Sequence, residues 1–173
     1  MSIKSKNLIS WYKKSNYKFP WRMTSDPYKI WISEIMLQQT QVSVAKNYYN
    51  NWIKELPTVD DVAKANIDNI LKLWEGLGYY RRAHNIYETA QMIVEKYNSK
   101  LPSKYDELIN LKGIGDYTAS AILSIAFNKK YPAIDGNLKR VIARLENFNN
   151  NQVKKNIKKI ISSFMNDLNA GEI

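Results

Sequence analysis

Apolar residues recur at helical spacing along almost the whole chain, and this periodicity constrains the fold more than any other feature of the sequence. The last segment shows it as one stripe of residues at intervals of three or four: Val153, Ile157, Ile160, Phe164 and Leu168. Alternating apolar and polar runs bounded by hairpin turns, the pattern of β-strands, are missing from the sequence. The sequence therefore predicts an all-α protein.

Capping residues and glycines predict where the helices begin and end. Asp26 precedes a proline, as an N-cap before a proline in the first helical turn does. Ser103, with Asp106 three residues later, approximates a capping box, and Asp116 is expected to cap the helix that follows Gly113. The helices are expected to form two lobes with a cleft between them.

The expected division places a six-helix lobe at residues 27–131, and joins residues 1–26 to residues 132–173 in the second lobe. The chain has 26 Lys and Arg against 16 Asp and Glu, which gives a formal net charge of +10 at pH 7. Such a charge favours a polyanionic partner, above all nucleic acid. A lysine-rich solvated surface would give the same charge, so charge alone does not decide between them.

Cysteine is absent from the sequence, which excludes disulfides, Cys-ligated zinc and Cys-ligated iron–sulfur clusters for these residues. No apolar run approaches the roughly 20 residues of a membrane span, and the first residues lack the apolar stretch of a signal peptide. His84 is the only histidine, so no metal cluster or histidine-based triad can be assembled around it. We expect a cytoplasmic protein without a metal site.

A Gly-x-Gly turn, Gly113 and Gly115, lies between two predicted helices in LKGIGDYTASAI. Unhindered backbone N–H groups at the start of the second helix would suit a DNA phosphate. A tight helix–helix connection that needs glycine for a positive φ is the alternative. No strand precedes the turn and a third glycine is missing, so a dinucleotide site is not indicated.

Two acids have the properties of a catalytic pair. Glu34 has apolar neighbours at helical spacing, so burial would raise its pKa and leave it able to donate a proton. Asp135 precedes a predicted helix, whose N-terminal dipole and amides would keep it ionised. Cleavage of a glycosidic bond needs such an acid and such a stabiliser of positive charge. Taken alone, each residue has an alternative role, as a solvent-reaching glutamate and as a plain N-cap.

Successive segments of the chain resemble the motifs of MutY-type adenine DNA glycosylases, in the helix-hairpin-helix superfamily: FPWRMTSDPYKIWISEIMLQQTQV, LWEGLGYYRRAHNI, LKGIGDYTASAILSIAF and AIDGNLKRVIARL. The match spans residues 19–145. The resemblance implies the helix-hairpin-helix glycosylase fold and a monomer that acts on double-stranded DNA in base excision repair. It implies hydrolysis of the N-glycosidic bond of an adenine that is mispaired with 8-oxoguanine or guanine and flipped out of the duplex.

The resemblance also implies roles for individual residues. Glu34 would protonate adenine, Asp135 would stabilise the sugar cation, and Asn137 would orient this pair. Tyr117 occupies the place where bifunctional relatives carry a Schiff-base lysine, and a phenol cannot form that imine. Strand cleavage is therefore not expected.

Substrate and DNA contacts are implied for a further set: Arg22 in the adenine pocket, the loop residues Leu37, Gln38, Gln39 and Thr40, Tyr79 in the base stack, and the hairpin glycines Gly113 and Gly115. Ordinary packing is the alternative for Gln39 and Tyr79. A thymine or uracil mismatch glycosylase of the same superfamily is an alternative activity. A non-catalytic helix-hairpin-helix module that only binds DNA is another.

The sequence departs from the family pattern in two places. Relatives usually bind a [4Fe-4S] cluster through downstream cysteines and add a domain that senses 8-oxoguanine, whereas FMNDLNAGEI ends at Ile173 without a cysteine. No cofactor is therefore expected, in a natural short form or a truncated chain. Asp116, beside the hairpin, would weaken phosphate binding unless its carboxylate is occupied in capping the helix.

Overall fold

The computed structural model describes residues 3–15 and 18–166, and within them the chain is helical, without a β-strand. The predicted all-α class is confirmed. A short 3-10 turn, Pro20–Arg22, precedes the second of the helices: α1 (Ile3–Lys14), α2 (Pro27–Leu37), α3 (Val42–Glu55), α4 (Val59–Lys64), α5 (Ile67–Trp74), α6 (Arg81–Tyr97), α7 (Tyr105–Leu108), α8 (Asp116–Ile125), α9 (Gly136–Leu145) and α10 (Asn150–Asn166).

Side-chain caps fix several of these helix starts. The carboxylate of Asp26 accepts a hydrogen bond from the backbone N–H of Tyr28 at 2.9 Å, which confirms the predicted N-cap of α2. Thr58 and Asp61 form a reciprocal capping box at α4. These side chains bind backbone donors that α2 and α4 cannot satisfy internally, and so define where these two helices begin.

The capping box predicted for Ser103 and Asp106 is wrong. Lys104 is the residue before α7, with an extended backbone at φ −114° and ψ 141°, and no side chain caps the helix. Ser103 therefore lies outside the helix, and Asp106 comes two residues after the cap position instead of the three that a capping box needs. The helix itself, Tyr105–Leu108, is four residues long and ends well before the glycine turn.

Most of the buried apolar side chains form one core among α2 to α8, in which Trp31, Trp52 and Trp74 are fully buried. A smaller core, between α9 and α10, contains Ile142 with Val153 and Ile157 of the predicted stripe. The next two residues of that stripe are half-buried, and Leu168 lies outside the described residues. Helix amphipathicity thus determines which face of α10 is covered.

The two cores lie on either side of residue 132, and the domain boundaries assigned from the sequence remain a prediction. Residues 27–131 form seven helices, α2 to α8, instead of six. Trp21, which the sequence division groups with the second lobe, packs in the large core with its ring edge-on to Tyr49, 5.3 Å between ring centres. None of the described helices is long and apolar enough to cross a bilayer.

Candidate active site

Glu34 lies in the middle of α2, a helix that is buried on nearly every side, and the residue is only 8% exposed. Burial raises the pKa of its carboxyl above the ordinary value, because an ionised carboxylate is poorly solvated there. A hydrogen bond from Tyr117 and the positive charge of Arg22 act in the opposite direction, while the negative charge of Asp135 adds to the increase. The predicted burial of this acid is confirmed.

Asp135 is the N-cap of α9, and its Oδ1 accepts a hydrogen bond from the backbone N–H of Leu138 at 2.7 Å. The other carboxylate oxygen accepts one from the side-chain amide of Asn137 at 3.0 Å. Asn137 in turn accepts a hydrogen bond from the Arg140 guanidinium. The capping role and the predicted contact between Asp135 and Asn137 therefore occur together, and they fix the orientation of the carboxylate.

Tyr117 lies in the first turn of α8, with its hydroxyl next to Glu34. Burial and the neighbouring Glu34 carboxylate raise the pKa of this phenol, so it stays protonated and can donate a hydrogen bond. Both residues open onto a cavity of about 880 Å³, lined by Glu34, Leu37, Gln38, Gln39, Tyr79, Tyr80, Arg81, Arg82, Asn85, Tyr117, Asp135 and Asn137. The structure thus brings together all the predicted catalytic residues.

Arg22 and Thr40, which the sequence places in the binding site, do not line this cavity. Arg22 is exposed, and its guanidinium donates to the hydroxyl of Tyr12 at 2.7 Å and lies 5.3 Å from the centre of the Tyr12 ring. It stays near enough to Glu34 to lower the pKa of that carboxyl. The side chain is held by α1, a contact that the motif pattern does not reveal.

Gln39 and Tyr79 lie at the rim of the cavity and share an unusual backbone conformation. Their φ angles are +56° and +49°, in the left-handed region that residues other than glycine rarely adopt. Both side chains are exposed, and Tyr79 retains 66% of its accessible surface. Two strained backbone positions therefore present two side chains to solvent at one opening.

The predicted hairpin lies between α7 and α8, and its glycines differ in what they require. Gly113 has φ +76°, and a Cβ there would lie 2.9 Å from Cβ of Asn85, so glycine is needed for conformation and for space. Gly115 has an ordinary φ of −95° and is the N-cap of α8. The backbone N–H groups at this helix start remain candidates for a phosphate contact.

Asp116 does not cap α8, contrary to the prediction, since it lies inside the first turn after Gly115. Its carboxylate accepts a hydrogen bond from the hydroxyl of Tyr105 at 2.9 Å. The Tyr105 ring stacks on Tyr131 with 5.6 Å between ring centres. The carboxylate of Asp116 beside the hairpin is thus hydrogen-bonded to a tyrosine hydroxyl, and not to the backbone N–H groups of the helix start.

Sequence reasoning missed Arg82, a buried guanidinium that lines the cavity between the two strained residues. It donates hydrogen bonds to the backbone carbonyls of Gln38 and Gly78, the residues that directly precede Gln39 and Tyr79. The spacing of residues in α6 could have revealed it. Arg82 lies on the same buried face of the helix as Ile86 and Ile93, where a charged residue is not expected. Burying a charged side chain costs free energy unless it is paired or hydrogen-bonded, so the burial of Arg82 needs an explanation.

The residues that the structure describes do not form a ligand set for a metal, and the sequence has no thiolate for a cysteine-ligated cluster. The sequence contains no cysteine, and the described part of the chain contains no group of three or more His, Asp or Glu side chains placed to hold a metal ion. An iron–sulfur cluster needs thiolate ligands. The chemistry of the cavity is therefore derived from the acids, amides and aromatic groups that line it.

Comparison with known proteins identifies the family and the relatives that the chain resembles. The family model described as HhH-GPD superfamily base excision DNA repair protein matches residues 32–166. The chain is 47% identical over 159 residues to the adenine DNA glycosylase of Buchnera aphidicola subsp. Baizongia pistaciae, covering 90% of the chain and 45% of the relative. With the adenine DNA glycosylase of Buchnera aphidicola subsp. Acyrthosiphon pisum it shares 40% over 175 residues, covering 98% and 50%. The chain thus spans about half the length of these curated relatives.

Among solved structures, the fold is similar to that of a thermostable thymine-DNA glycosylase, with a TM-score of 0.84 and 28% sequence identity. That alignment covers 98% of the chain and 82% of the other protein. The arrangement of helices is therefore shared along essentially the whole chain.

Proposed function

Because the chain belongs to the HhH-GPD superfamily of base excision DNA repair proteins, we propose that it hydrolyses the N-glycosidic bond of an adenine flipped out of duplex DNA. The observation that carries the proposal is the position of a buried acid, Glu34, in one cavity with the carboxylate of Asp135. Phosphate binding alone needs neither acid. A pair of carboxyl groups in different environments is what acid-assisted glycoside cleavage uses.

The proposed reaction is acid-assisted hydrolysis. Glu34 transfers its proton to N7 of adenine, and the N9–C1′ bond breaks with its electron pair remaining on the base. Asp135 stabilises the positive charge that develops on the sugar at C1′. Water then forms the new bond to C1′, and the proton that it loses restores the acid form of Glu34. The products are free adenine and an abasic site in an intact strand.

Duplex DNA is the partner that the charge and the cavity rim support. The net charge of +10 attracts phosphates, and the start of α8 offers backbone N–H groups to one of them. Gln39 and Tyr79 line the cavity with exposed side chains, which supports a role in entering the base stack when a nucleotide leaves it. We propose that these two side chains read the base opposite adenine, and that the protein acts as a monomer.

Removal of thymine is the second candidate, since the structural similarity with a thymine-DNA glycosylase extends over 98% of the chain. Two arguments favour adenine. The curated relatives that share 40% to 47% of their aligned residues with the chain are named adenine DNA glycosylases. A buried acid also assists a purine more directly, because purine N7 can accept the proton while thymine has no equivalent nitrogen.

The substrate is tested by single-turnover excision from duplexes with A opposite 8-oxoguanine, A opposite G, T opposite G and U opposite G. We expect adenine to leave faster than thymine or uracil, and only modest discrimination between 8-oxoguanine and guanine, which would depend on Gln39 and Tyr79. Removal of thymine or uracil with adenine untouched would replace the adenine assignment by the thymine one. No excision from any of the duplexes would favour a module that only binds DNA.

Borohydride treatment during turnover is expected to trap no covalent protein–DNA complex. Trapping requires an imine between C1′ and an amine, and no lysine is among the residues that line the cavity in the described part of the chain. Tyr117, beside Glu34, offers only a phenol. Gel electrophoresis of the borohydride-treated reaction measures this, and a trapped band at a yield similar to that of abasic sites would show a lyase activity.

A further inference from the structure

Arg82 connects two backbone segments that are separate in the sequence. On one side, its Nη1 donates to the carbonyl oxygens of Ile35 at 2.9 Å, Met36 at 3.2 Å and Gln38 at 2.6 Å. On the other side, its Nη2 donates to the carbonyls of Leu77 and Gly78, each at 3.2 Å. One side chain therefore joins the end of α2 to the loop between α5 and α6.

The first of these segments is a helix C-terminus, where the last carbonyls have no partner within the helix. The partial negative charge of that end attracts a cation, so Arg82 is bound by the dipole of α2 as well as by its individual oxygens. In the described chain no carboxylate pairs with this guanidinium, and backbone oxygens take its place. The position of Arg82 thus depends on the course of the backbone in these two segments, and not on an acidic side chain.

Each segment contains one of the two left-handed non-glycine residues at the cavity rim, and each of these directly follows a carbonyl to which Arg82 donates. Gln38 precedes Gln39 at φ +56°, and Gly78 precedes Tyr79 at φ +49°. Such conformations cost free energy in residues with a Cβ and persist where the surroundings fix them. Arg82 donates to the carbonyl that precedes each of these residues, and at the Gly78 carbonyl it is joined by Nε1 of Trp74 at 3.0 Å.

The guanidinium also lies against aromatic rings, 5.1 Å from the centre of the Trp74 ring and 5.7 Å from that of Tyr79. Its planar fork can donate to two segments at once while its face contacts a ring. A lysine ammonium is a point charge that cannot span both sets of carbonyls. The site is therefore built for arginine.

We propose that Arg82 is a positioning residue: it holds the backbone at Gln39 and at Tyr79 in the conformation from which both side chains enter the DNA base stack. The inference deepens the proposed function, on which it rests for the role of these two side chains. Arg82 would act through the backbone of both loops, without touching the base or the reacting atoms. Its loss would leave phosphate binding intact and impair the distortion of DNA around the target nucleotide.

The test uses Arg82→Lys and a duplex with 2-aminopurine next to the target adenine, whose fluorescence rises when the stack opens. We expect the variant to lose most of the fluorescence gain and to excise adenine about 10- to 100-fold more slowly at saturating enzyme. Its affinity for undamaged duplex is expected to stay within about twofold, because phosphate contacts dominate that binding. If Arg82→Lys does not fold, Arg82→Gln, which has no charge to bury, takes its place.

Two controls separate positioning from stability. Arg144→Met removes an exposed arginine of α9 and is expected to behave as the wild type. Ile93→Ala removes a buried side chain from the same helix as Arg82, lowers the unfolding temperature, and is expected to keep the fluorescence gain at temperatures where it is folded. Loss of the gain in Ile93→Ala equal to that in Arg82→Lys would overturn the proposal.

A double-mutant cycle shows whether Arg82 acts through Tyr79. Tyr79→Ala is expected to reduce the fluorescence gain strongly in the wild type and little in Arg82→Lys, since the ring is already misplaced there. Fully additive losses would overturn the proposal. If the wild type excises no base, the proposed function fails, but the fluorescence of the bound duplex still decides the role of Arg82.

Discussion

Replacing Glu34 with glutamine is expected to slow base excision about 10²- to 10⁴-fold while DNA binding is retained. The amide keeps the shape of the carboxyl but cannot supply a proton to the leaving base, and a positioned general acid contributes about 10²- to 10⁴-fold to a rate. Single-turnover excision and duplex affinity, measured on the same preparation, give the two quantities. In the wild type, excision is expected to slow as pH rises through the raised pKa of Glu34, since only the acid form donates.

The same substitution has a second, independent expectation for stability. Burial raises the pKa of Glu34 above its ordinary value, so the folded chain binds this proton more tightly than the unfolded chain does. The wild type therefore loses stability as pH rises from the unfolded value through the folded one, and Glu34→Gln does not. Thermal unfolding at about pH 4 and pH 8 should show the advantage of the variant growing with pH.

Glu95→Gln is the matched control, because Glu95 is an exposed residue of α6 away from the cavity. It is expected to change neither excision nor the pH dependence of unfolding. Excision by Glu34→Gln at the wild-type rate would remove Glu34 from the role of acid. Loss of excision together with loss of folding would point to a structural role, so the unfolding measurement is made first.

The fold could be predicted from the sequence where the signal is local. Helical periodicity gives the all-α class, and a residue such as Asp26 marks a helix start because an N-cap depends on the nearest few residues. The failures at Ser103 and Asp116 have one cause. Both residues have the right type for a cap, but each actual cap position lies one residue away, at Lys104 and at Gly115, and residue type does not locate a helix end that closely.

In the candidate site, too, local features could be predicted from the sequence and contacts between distant segments could not. The burial of Glu34 follows from its apolar neighbours on one helix, and the position of Asp135 follows from a helix start, so both could be predicted. The contacts of Arg82 with the end of α2 and of Arg22 with Tyr12 join distant segments. No local pattern specifies such contacts, because they depend on how helices pack against each other.

Replacing Asp135 with asparagine is expected to lower excision about 10²- to 10³-fold while leaving the helix start intact. The amide oxygen of asparagine can still accept the hydrogen bond from the backbone N–H of Leu138, since both residues are good N-caps. What is lost is the negative charge opposite the developing sugar cation, together with the hydrogen bond that the second carboxylate oxygen accepts from Asn137. Single-turnover excision with a purine substrate at saturating enzyme measures the effect, and thermal unfolding checks the cap.

Asp26→Asn provides the control for that experiment, because Asp26 caps α2 with the same kind of hydrogen bond but does not line the cavity. The two variants make the same chemical change at two helix starts, so a difference between their excision rates reports charge at the sugar and not capping. Equal rates in Asp135→Asn and the wild type would show that Asp135 is only an N-cap. The proposed stabilisation of the cation would then have to come from another group in the cavity.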